Sequence, residues 1–121
     1  MSQITAQQIE HFLFNKDTGF LIKYHIRHGI DPVLLDKLYE ILEELKTDWK
    51  YKENVPKDIL YYLITIVPGL YQDLELYKDD EVKHYIYEEL IYNLSVAIEM
   101  CLNPNPDDHP HFNTPFKEYG F

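Results

Sequence analysis

Residues 20–29 read FLIKYHIRHG, and the class of the fold turns on them. Phe20, Ile22, Tyr24 and Ile26 recur at every second position, as they would along a strand. No other stretch carries a strand pattern, and a lone strand leaves its backbone N–H and C=O groups without partners. The segment is therefore expected to be a short helix closed by Gly29, and the chain to be all-α.

The flanking segments are helical by spacing. Upstream, Thr5 and Gln8 form a capping box, with Ile4 and Ile9 at the two positions of a hydrophobic staple. Ile9, Phe12 and Leu13 then give an apolar face that KDTG ends near Gly19. Downstream, Asp31 is an N-cap and Pro32 suits the first helical position. Leu34, Leu35, Leu38, Ile41, Leu42 and Leu45 keep helical period to about Trp49. KYKENV is a polar loop, and Pro56 opens a fourth helix that Pro68-Gly69 is expected to break, leaving a short helix around 70–77. Asp79 or Asp80 caps the longest helix, about 80–102, and NPNP stops it. This predicts one bundle-like domain of five or six helices over 1–103. The core would be drawn from Phe12, Leu35, Leu38, Leu42, Leu60, Leu63, Ile86, Leu90 and Leu94. The tail, 104–121, is rich in proline and carries Phe112, Phe116, Tyr119 and Phe121; it is expected to lie extended on the domain with its rings packed down.

With 121 residues, 45% hydrophobic and 26% charged, the chain has the balance of one globular domain. No apolar run reaches the roughly 20 residues that span a bilayer. The start, MSQITAQQIEHF, has no charged segment followed by an apolar one, and a single cysteine excludes an internal disulfide, so a cytoplasmic location is expected. There are 21 acidic and 11 basic residues, a net charge of −10. Such a chain is repelled by nucleic acid and anionic membranes and drawn to basic partners. The charge concentrates over 73–89, where Asp73, Glu75, Asp79, Asp80, Glu81, Glu88 and Glu89 face only Lys78 and Lys83.

Tyrosine sits beside this acid. On a wheel of 58–67, Ile59, Leu60, Leu63, Ile64, Ile66 and Val67 share one side, while Asp58, Tyr61, Tyr62 and Thr65 fall opposite. On the long helix, Ile86, Leu90, Leu94, Ala97 and Cys101 mark the core side. Glu81, Tyr85, Glu88, Tyr92, Ser95 and Glu99 follow a 4-3-4-3-4 spacing along the other flank. Tyrosine buries a large area at low entropic cost, and carboxylates around it steer and orient a cationic partner. Asp58, Tyr61, Tyr62, Glu81, Tyr85, Glu88 and Tyr92 are thus the candidate binding residues for a basic protein.

DILYY, 58–62, resembles the aspartate–apolar–apolar–Tyr–Tyr string in the immunity proteins of nuclease colicins, which are small, acidic and helical. The likeness covers five residues of 121. It implies that Asp58, Tyr61 and Tyr62 engage a cationic toxin domain and block it. That family breaks its helix with proline and glycine directly after the tyrosines, whereas LITIV continues it here, and this chain is longer. The similarity is one of kind, reaching to the broader set of bacterial toxin-immunity proteins.

No catalytic or cofactor signature competes with this reading. Glu81-x-x-His84 with Glu88 is half of a carboxylate-bridged di-iron pattern, and no second Glu-x-x-His completes it. His25 with His28, and His109 and His111 with Asp107 or Asp108, are ordinary surface residues more often than ligands, so no metal is expected. Cys101 lies on the core side, Ser2 and Ser95 lack a nucleophile-elbow context, and the glycines at 19, 29, 69 and 120 are isolated. The expectation is a non-enzymatic inhibitor that binds and neutralises a basic toxin domain. The alternative is a helical adaptor within a larger assembly, such as a phage or regulatory complex.

Overall fold

The computed structural model describes residues 3–105, and among them there are helices and no strand. Five α-helices follow in order: α1 (Ala6–Phe14), α2 (Phe20–His25), α3 (Pro32–Trp49), α4 (Lys57–Leu74) and α5 (Glu81–Leu102), with a 3-10 turn at Glu75–Tyr77 before the last. The all-α expectation holds. The tail beyond 105, with its rings and with His109 and His111, lies outside the described residues.

Local chemistry sets the helix ends. The Gln8 amide donates to Thr5 Oγ1 at 3.2 Å and the Thr5 amide to Gln8 Oε1 at 2.9 Å, the reciprocal capping box. Asp31 Oδ1 accepts the amides of Val33 and Leu34, while Lys23 Nζ donates to its Oδ2 at 3.1 Å. Burial pushes this carboxyl up, but the Lys23 bond and the two amides outweigh it and hold the group below its usual range. Asp80 caps α5 through the Lys83 amide at 3.0 Å.

Residues 20–29 are a helix only as far as His25. Beyond it Arg27 takes φ 69° and Gly29 φ 79°, so two left-handed residues turn the chain into α3. Three tyrosines hold this turn. The Tyr77 hydroxyl donates to the Tyr24 carbonyl at 2.6 Å and accepts the Gly29 amide at 3.0 Å, and the Tyr87 hydroxyl accepts the Ile30 amide at 3.2 Å. The rings of Tyr24 and Tyr77 stack at 4.8 Å, with Tyr87 edge-on to both. The buried Tyr24 hydroxyl has no hydrogen-bond partner among the described residues. Burial first, then the neighbouring phenols and Asp73, push its pKa far above the ordinary phenol value.

Pro68 and Gly69 do not break α4, which runs unbroken to Leu74. Pro68 has no N–H to give the Ile64 carbonyl, and both residues are exposed, on the side of the helix where such a loss costs least. Opposite it, Ile59, Leu63, Ile66, Leu70 and Leu74 are all buried and hold the helix continuous. Gly69 lies beside α2: a Cβ there would make only an ordinary contact, 3.9 Å, with Leu21 Cδ1.

α5 packs against both α3 and α4, and α4 in turn carries α1 and α2. The bond from Ile30 to Tyr87 and that from Cys101 Sγ to the Leu42 carbonyl (3.3 Å) show that α3 and α5 run in the same direction. Of the anticipated core, Leu35, Leu38, Leu42, Leu63, Leu90 and Leu94 are buried; Phe12 and Ile86 are half-buried against it, and Leu60 is half-buried at its edge without packing onto the cluster. Phe20, Tyr24, Trp49, Tyr77 and Tyr87 join the core as well.

Candidate functional site

The α5 flank has the anticipated exposure. Tyr85 and Tyr92 are 62% and 59% exposed, and Glu81, Glu88 and Glu99 are exposed between and beyond them. One edge of the longest helix therefore alternates carboxylate and phenol for about five turns. Ser95, on the same edge, turns inward to the chain and donates to the Tyr92 carbonyl at 2.6 Å.

On α4 the tyrosine pair divides. Tyr61 is 59% exposed. Tyr62, expected at the surface, is half-buried: its hydroxyl donates to Glu10 Oε2 at 2.6 Å, and its ring lies 6.4 Å from that of Phe14. The carboxylate bond, ahead of partial burial, pushes this phenol above its ordinary pKa. Tyr62 thus ties α4 to α1. Asp58 is exposed and accepts the amide of its own neighbour Ile59 at 2.8 Å.

Ile64 moves in the opposite sense. It was placed with the core side, yet it is 55% exposed. With Tyr61, the exposed Pro68 and Tyr71 (46% exposed) it forms an apolar stripe along the outer face of α4. Spacing of three, four and three residues was visible in the sequence once the helix is allowed to pass Pro68.

A groove of about 770 Å³ separates α1 from α3. Its floor is Ile4, Phe12, Leu34 and Ile41, and its rim includes Gln7, His11, Lys37 and Glu40. Among the described residues, no three His, Cys, Asp or Glu side chains gather as a metal site. Cys101 is buried, and that burial pushes its thiol up to about 12, which leaves it protonated and inert. Among the described residues no helix is long and apolar enough to cross a membrane.

Compared with protein-family models, with curated proteins and with solved structures, the chain matches none.

Proposed function

We propose that this protein is a non-enzymatic inhibitor that binds a basic protein, a bacterial toxin domain acting in the cytoplasm, and covers the site where that domain holds its substrate. The observation that carries the reading is the α5 edge, where exposed Tyr85 and Tyr92 alternate with Glu81, Glu88 and Glu99. Exposed phenols are contact area that folding leaves unused, and they anchor interfaces well. The net charge of −10 makes approach by a cationic domain favourable, and a nuclease cleft, which must hold phosphates, is such a domain. Tyr62, bonded to Glu10, ties α4 to α1 and serves the fold rather than this edge.

The test begins with a pull-down from the native host, with the partner identified by mass spectrometry. A basic partner whose own activity is abolished by stoichiometric addition of this chain supports the reading. A partner without activity, or one whose activity survives saturation, refutes it.

A further inference from the structure

Beyond partner binding, we infer that the outer face of α4 is a self-association surface, on which a second copy of this chain docks antiparallel. Tyr61, Ile64, Pro68 and Tyr71 occupy the spacing of a coiled-coil seam, and all four are exposed. A continuous apolar stripe of this kind on an otherwise charged surface marks an interaction site.

Charge identifies the occupant. Along α4 the charged residues are Lys57, Asp58 and Asp73, and Asp73 is engaged by His25 Nδ1 at 2.9 Å on the α2 side. In a chain of net charge −10, the stripe of Tyr61, Ile64, Pro68 and Tyr71 itself carries no acid, so two copies can meet along it without setting acid against acid there. An antiparallel pairing about a two-fold axis level with Ile66 is self-complementary. It sets Tyr61 against Tyr71 of the second copy and Ile64 against Pro68. At both ends, Lys57 meets Glu75 of the second copy, a lysine against a glutamate. Glu75 is free to turn toward it, since its own bridge to Lys78 is long, 3.7 Å, and highly exposed. A parallel pairing would instead set Lys57 against Lys57 and Glu75 against Glu75. A basic partner finds little on this face to attract it. One helix pair is a small interface, below roughly 1,200 Å² in total, in the range of weak and transient contacts.

Sedimentation velocity over a concentration series tests this. The expected result is a monomer–dimer equilibrium that strengthens with added salt, because salt screens the repulsion between two acidic copies. Ile64→Asp, at an exposed site that leaves the fold intact by circular dichroism, should weaken it by at least about tenfold. Lys57→Glu and Glu75→Lys should each weaken it by about two- to fivefold, and the double variant should restore it. Register is read by cysteine pairing, with the inert Cys101 silent. Tyr61→Cys mixed with Tyr71→Cys should cross-link, and Tyr61→Cys alone should not. A monomer up to millimolar concentration overturns the proposal, as does cross-linking of Tyr61→Cys to itself. Tyr85→Ala and Tyr92→Ala should leave the dimer unchanged, so its failure is separable from failure of the α5 reading.

Discussion

Gly29 and Tyr87 are fitted to each other: a Cβ added at Gly29 would lie 2.7 Å from the Tyr87 hydroxyl oxygen, which accepts the amide of the next residue, Ile30. Gly29 also sits at φ 79°, where a side chain is strained in any case. Gly29→Ala should therefore destabilise the protein by more than about 2 kcal/mol, from backbone strain plus the broken hydroxyl bond. Urea unfolding followed by circular dichroism measures it, and a loss below half that value would mean the turn relaxes freely.

Two of the buried tyrosines, Tyr77 and Tyr24, should respond differently to loss of their hydroxyls. Tyr77→Phe strips the Gly29 amide of its acceptor and leaves the Tyr24 carbonyl with the Arg27 amide alone, at a cost of about 1–3 kcal/mol. Tyr24→Phe removes a buried hydroxyl that has no hydrogen-bond partner among the described residues, so it should be neutral or stabilising. Comparing the two denaturation midpoints decides the matter.

Asp31 gives a pH dependence with a defined sign. Its folded pKa is lowered, so its contribution is present above the ordinary carboxylate value and is lost as pH falls through the lower folded value. Asp31→Ala should cost about 0.5–2 kcal/mol at neutral pH through loss of the α3 cap. The gap between wild type and Asp31→Ala should close as the solution is acidified below pH about 4. A gap that widens on acidification would reverse the assignment.

On α5, folding and binding should separate. Tyr85→Ala and Tyr92→Ala are surface changes expected to move stability by no more than about 0.5 kcal/mol. Against the captured partner each should weaken binding by about 2 kcal/mol in titration calorimetry. Glu88→Ala should mainly slow association and reduce its salt sensitivity. Tyr62→Phe should act the other way, lowering stability through loss of the Glu10 bond more than it alters binding. Wild-type affinity in both α5 tyrosine variants would place the interface elsewhere.

Where structure follows from neighbours in sequence, the sequence was readable. The capping box at Thr5 and Gln8, the Asp31-Pro32 start of α3 and the α5 stripe depend on residues within a turn or two of one another, and all appear as expected. The sequence points to a break in α4 because Pro68 is a strong local breaker, whereas the buried row at Ile66, Leu70 and Leu74 that overrides it is a tertiary effect. The same expected break displaces Ile64 and Tyr62. A wheel drawn over 58–67 alone is centred without Leu70 and Leu74; the full helix turns the core side toward Ile59, Leu63 and Ile66, which brings Ile64 out and draws Tyr62 toward α1. The clustering of Tyr24, Tyr77 and Tyr87 joins residues 53 and 57 positions from their hydrogen-bonding partners, and no local pattern signals it.

The shared direction of α3 and α5 has a consequence for how the chain is made. The bonds that link them, Ile30 to Tyr87 and Leu42 to Cys101, span 57 and 59 residues. On a ribosome, Leu35, Leu38, Leu42 and Leu45 are synthesised well before the helix that covers them. At typical elongation rates that interval is about 3–10 seconds. For that time the nascent chain presents a leucine row without the helix that covers it, a surface of the kind chaperones bind, and this part of the core closes only when α5 has emerged.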